Sequence, residues 1–134
     1  MATIALPNNA IPKRNVKGVI IAARDLTNVV AAAADTVEIC ELPEGATVFE
    51  VGMTASADLG NVLAGISGAD IVDDPNFFLD TTATGDNVTV IANLRLGYEA
   101  ETAGEVVTFD TSIGILLATT GRAWAAYTMD ADVA

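Results

Sequence analysis

Asp35–Met53, D-T-V-E-I-C-E-L-P-E-G-A-T-V-F-E-V-G-M, is the stretch whose reading decides the fold class. Two alternating runs, Thr36 to Leu42 and Ala46 to Met53, flank Pro43-Glu44-Gly45, where proline presets φ at about −65° and glycine accepts φ > 0. In the second run Thr47, Phe49, Val51 and Met53 fall on one face and Val48, Glu50, Gly52 and Thr54 on the other, the period of a half-buried strand. The stretch reads as strand, tight corner, strand, and as the nucleus of a β-sandwich.

Toward the C-terminus the same kind of signal recurs. Gly60-Asn61 and Ser67-Gly68 are turn signals around a short V-L-A-G-I strand. Asp73-Asp74 before Pro75 reads as a turn or the start of a short helical turn, with Phe77, Phe78 and Leu79 plugging the core from a loop. Val88, Val90, Ala92, Leu94 and Leu96 alternate with Thr89, Ile91, Asn93 and Arg95, the clearest strand in the chain. An acidic loop from Gly97 to Gly104 precedes a strand from Glu105 to Asp110. Ile113–Thr119 and Ala123–Met129 read as two strands joined at Thr120-Gly121-Arg122 as a hairpin, with Trp124 assigned to the core. Toward the N-terminus, Val16 to Ala23 reads as a strand, while Asp25–Ala34 is open between helix, by its alanines, and strand, by Asn28-Val29-Val30. About eight strands with turns every eight to twelve residues give an all-β, antiparallel sandwich or barrel.

Composition narrows function mainly by exclusion. With 134 residues, 51% of them hydrophobic and 18% charged, the chain has enough apolar surface for one core. There is no histidine, which removes the commonest general base and the commonest transition-metal ligand, and the lone Cys40 rules out an intramolecular disulfide or a thiolate cage. Cys40 reads as a small core hydrophobe. No nucleophile triad and no phosphate-binding glycine motif occurs, so the expectation is no enzyme, no catalytic residue, no metal site and no cofactor. Two acidic clusters, Asp70, Asp73, Asp74, Asp80 and Glu99, Glu101, Glu105, are the only oxygen-ligand candidates; neither has EF-hand spacing, and solvated turn caps are the simpler reading. The absence of a signal-like leader or a long apolar run predicts a soluble protein made in the cytosol and no membrane partner.

Charge is distributed unevenly. Lys13, Arg14, Lys17 and Arg24 are four of the six basic residues and precede every acid, so residues 25–134 carry 2 − 18 = −16. Such a body repels nucleic acid. Residues 1–15, with Pro7, Pro12 and Asn8-Asn9, read as an extended N-terminal arm, and 16–134 as the β-domain. Ile4, Leu6 and Ile11 are too many apolar groups for a solvated tail, and Lys13, Arg14 and Lys17 suit an acidic protein surface; these six are the candidate partner-binding residues. Sheet edges and alanine-rich strands predict a homo-oligomer.

The order of motifs resembles small structural proteins of tailed bacteriophages, in which a D-x-I-x-L-x-x-L-P-x-G-A-x-V segment opens a β-sandwich. The likeness is carried by Asp35–Met53, by the acidic loop entering Asn76-Phe77-Phe78-Leu79, and by the closing Trp124-Ala125-Ala126-Tyr127, over residues 35–129. The resemblance implies a jelly-roll-like head decoration (cement) or head-fibre protein, often trimeric, bound to the major capsid protein on the capsid surface of a virion assembled in the host cytoplasm. A tail or fibre component is the alternative within that class, and a Ca²⁺- or carbohydrate-binding sandwich module the alternative outside it.

Overall fold

Nine strands build two sheets in the computed structural model, which describes residues 2–5, 19–68, 71 and 73–129. They are β1 (Thr3–Ile4), β2 (Val19–Asp25), β3 (Thr36–Leu42), β4 (Thr47–Ala55), β5 (Gly60–Ser67), β6 (Asp74–Ala83), β7 (Val88–Glu99), β8 (Glu105–Thr111) and β9 (Gly121–Thr128). One sheet has the order β1-β3-β8-β5-β6 and the other β2-β9-β4-β7. Antiparallel partners run β2 with β9, β3 with β8, β4 with β7 and β5 with β6. A long two-stranded ribbon, folded at the β5–β6 end and wrapped so that successive pairs alternate between sheets, produces this arrangement. The fold is thus an all-β sandwich, as the spacing of turns led one to expect.

The opening stretch shows how the wrapping works. β3 has the expected bounds and β4 starts one residue later and ends two residues later than expected, but the two lie in different sheets, so Pro43-Glu44-Gly45 is an arch across the sandwich and not a hairpin. Gly45 has φ +86° with open space around it, so its backbone conformation is what favours glycine. Its N–H donates to Ala100 O (2.8 Å) and Ala100 N–H returns to Ala46 O (2.8 Å), tying the arch to the β7–β8 loop. The strict period of two fails inside β4. A register shift between Val48 and Glu50 lets Val48, Val51 and Met53 all face inward. A similar shift in β3 buries both Ile39 and Cys40. The Cys40 thiol is pushed up to about 12 by burial, as befits a packed hydrophobe.

Between the sheets lie Tyr127, Phe109, Leu26, Ile39, Leu42, Met53, Leu59 and Ile115, all fully buried. Two different devices close the open sides. Where β6 meets β7, Phe77, Phe78 and Tyr98 pack edge-to-face with centroids 5.0, 5.0 and 5.8 Å apart. Where β2 meets β3, the closing group is the Arg24 guanidinium described below.

Several expectations are corrected. Asp25–Ala34 is neither helix nor strand beyond Asp25: Asn28 and Ala34 take φ of 68° and 66°, which neither regular structure tolerates, and only Ala31 forms a bridge, to Ile115. Asp74–Ala83 is a strand, not a turn or a loop, because β6 is an edge, where Pro75 can lack its N–H without loss to the ladder. Phe78 is buried, whereas Phe77 is exposed. β7 continues through Gly97 to Glu99, which pairs with Thr47, so the acidic loop is shorter than expected. Ile113–Thr119 is a loop, and no hairpin precedes β9, which is central in its sheet.

Candidate assembly surfaces

Arg24 sits on the inward phase of β2, alternating with Ile20 and Ala22, a position that an apolar side chain would ordinarily fill. Because β2 is an edge strand, its long side chain reaches the open side of the sandwich. There Nη1 donates to Ile4 O (3.1 Å) and to Glu38 O (2.7 Å), joining β2 to β1 and β3 across the two sheets. Burial pushes the Arg24 pKa down, and the Glu38 carboxylate opposes that shift.

Residues 2–5 lie along the body of their own chain. β1 pairs in parallel with β3, Thr3 opposite Thr36 and Ile4 opposite Val37. Thr36 N–H donates to Ala2 O (3.0 Å), and Ala2 N–H donates to Asp35 Oδ1 (3.0 Å), whose Oδ2 accepts from Ala32 N–H (2.9 Å). These backbone donors, Ala2 first, hold the Asp35 carboxyl below the usual carboxylate range. A shallow cleft of about 470 Å³ runs beside β1, lined among others by Thr3, Thr36, Glu38 and Ser67. Of the six candidate arm residues, Ile4 is thereby placed half-buried against the core; Leu6, Ile11, Lys13, Arg14 and Lys17 lie outside the described residues.

Two further surfaces are apolar and open. On the outer face of the four-stranded sheet, Ala23, Trp124, Gly52 and Ile91 form a row across β2, β9, β4 and β7. Trp124 is half-buried on this outer face, not in the core as expected; its ring covers Gly52, and Nε1 donates to Glu50 Oε2 (2.9 Å). Ile21, 66% exposed, and Val19 extend the patch along β2. The second surface is at the end of the sandwich where the 26–35 and 112–120 segments meet. Ala31 and Ile115 exchange both backbone bonds (3.0 and 2.8 Å), and around this tie Val30, Ile113, Leu116 and Leu117 face outward, Leu116 at 71% exposure. The sequence reading missed both surfaces. Their signal was present: V-I-I-A-A and I-G-I-L-L are apolar on both phases, so on a surface element apolar side chains face outward whichever phase is buried.

The acidic clusters are dispersed. Asp80 accepts from Asn61 Nδ2 (3.0 Å), Asp73 from Gly68 N–H (3.4 Å), and Asp70 lies outside the described residues. Glu105 is fully buried, where it accepts from the Tyr98 hydroxyl and from Thr102 N–H (2.9 Å) and Oγ1 (3.2 Å), pinning the β7–β8 loop. Among the described residues no three acidic, histidine or cysteine side chains converge on a metal position. No helix among them is long and apolar enough to cross a membrane.

The fold is one that phage capsids contain. A chain of the Ralstonia phage GP4 capsid superposes with a TM-score of 0.61 at 18% identity, covering 95% of this chain and 90% of that one. A chain of the cyanophage Pam1 capsid asymmetric unit gives 0.58 at 18% identity, with 92% and 94% covered. A chain of the acidic stable capsid of Helicobacter pylori bacteriophage KHP30 gives 0.58 at 17%, with 85% and 90% covered. No protein-family profile matches the chain, and no curated protein matches it. At these identities the likeness is one of fold. The coverage also shows that the matched chains are close to this one in length.

Proposed function

We propose that this chain is a phage virion structural protein, a decoration or cement subunit that binds the major capsid protein on the outside of the head and stabilises it as a homo-oligomer, with the trimer as its form. The observation that carries the reading is the whole-length likeness to chains from three phage capsids. The surfaces described above agree with such a role: residues 2–5 docked along β3, two open apolar patches, and no convergent reactive groups among the described residues. Cementing would act additively, since many copies each burying a modest area gain affinity through the lattice.

Electron microscopy of the parent particle with and without the purified chain tests this reading. The expected outcome is added density at repeated positions on the outer shell, together with a higher temperature of head disruption. A variant lacking residues 2–15 is expected to decorate poorly. Particles that carry no copy, or that carry it only in the tail, overturn the proposal.

A further inference from the structure

We propose that the β3 edge of the five-stranded sheet is a strand-acceptor site, and that in the assembled protein the segment filling it is residues 2–5 of a second copy. The inference deepens the assembly reading above and rests on it only in requiring that copies meet. The acceptor is built from one body: Arg24 on β2, Asp35 ahead of β3, and the Thr36 N–H at the start of β3 hold the short β1 by the bonds given above. What residues 2–4 contribute is mostly backbone, namely the Ala2 N–H, the Ala2 O and the Ile4 O, plus the Ile4 side chain against the core. Recognition of that kind is strand addition, and it is indifferent to whether the strand arrives in cis or in trans.

Chain length argues for delivery in trans. Fourteen residues, 5–18, join β1 to β2. Arg24 touches Ile4, and Val19 lies five residues farther along β2, about 17 Å away at roughly 3.4 Å per residue. Fourteen residues extend to roughly 50 Å, almost three times that span. A domain of this size has a radius of gyration of about 14 Å, hence a diameter of roughly 36 Å. The connection is therefore longer than closing on its own body requires and long enough to reach the same edge on an adjoining copy. Exchange of an identical segment requires no new contact chemistry, and it leaves no free edge at β3 once a ring of copies closes.

Paired cysteines test the exchange, because Thr3 and Thr36 are directly opposite. Copies carrying Thr3→Cys and copies carrying Thr36→Cys are mixed, co-refolded and oxidised, and the Thr3→Cys/Thr36→Cys double variant shows that the two positions can bridge. Expected is a mixed disulfide in most of the oligomer, at least several-fold above either single variant oxidised alone, and reduced by Arg24→Met. The double variant is expected to yield covalently linked multimers. Overturning results are a double variant that closes only within one chain, no mixed disulfide, or a photoreactive group at Thr36→Cys that labels the shell protein instead of another copy's arm. Head decoration by the same variants is scored separately: decoration without mixed disulfides sinks the exchange alone, and mixed disulfides without decoration sink the capsid reading alone.

Discussion

Gly52 is the residue on which the outer face of the four-stranded sheet turns. A Cβ placed there would lie 2.3 Å from the Trp124 ring, so the indole occupies the space that any other residue would need. Gly52→Ala should lift Trp124 away from the sheet and break its bond to Glu50, at a cost of about 1–3 kcal/mol typical of overpacking. Since Trp124 is the only tryptophan, its fluorescence reads the event directly: a red-shifted, more quenchable emission with a lower unfolding midpoint is expected. Unchanged emission would show that the ring does not depend on the glycine. Tyr127 is the opposite kind of residue, fully buried with a hydroxyl that has no hydrogen-bond partner among the described groups. Burial pushes its pKa up to about 12, with Cys40 adding to the shift.

At the scale of elements, β1 is held by few bonds, and one of them titrates. The folded-state pKa of Asp35 is depressed by its bonds from Ala2 and Ala32. A depressed carboxyl contributes stability that is fully present above its unfolded value of about 3.9 and is lost as pH falls through the lower folded value. Docking of β1 should therefore weaken in acid below that range. Hydrogen exchange at the Thr36 amide, which donates to Ala2 O, reports this locally: protection is expected to fall as Asp35 protonates and to lose that pH dependence in Asp35→Ala. Protection that stays constant through the acid range in the native chain would contradict it. The same scale shows what could be read in advance. Alternation in 88–96 located β7, and the proline-glycine corner located β3 and β4, because both signals are local. Ile113–Thr119 reads as a strand but is a loop, because apolar β-branched composition cannot distinguish a strand from a surface loop that keeps its leucines exposed.

For the whole molecule, a net charge of −12 opposes compaction. Raising the ionic strength from about 10 to about 150 mM shortens the screening length from roughly 30 to roughly 8 Å, less than the width of the body. The unfolding midpoint is expected to rise by a few degrees over that interval in a simple chloride salt, and a fall would mean that attractive pairs outweigh the repulsion. An acidic body also keeps copies apart in solution. In the proposed oligomer, close approach would depend on neutral contacts such as the Ile21 and Leu116 patches, or on strand addition at β3.

By itself the sequence determined the class of structure and the excluded chemistry. Its turn residues and period of two specify short strands, its lack of histidine removes the usual catalytic constellations, and four of its six basic residues precede every acid. Only the tertiary structure decided which sheet each strand joins, because an arch and a hairpin can share the same corner residues and differ only in what the strands pair with. It also turned Arg24, one basic residue among six, into the clamp between sheets, and Trp124 from a core residue into a surface one. Both outcomes depend on partners distant in the chain, Glu38 and Ile4 for the one and Gly52 and Glu50 for the other, and no local pattern encodes them.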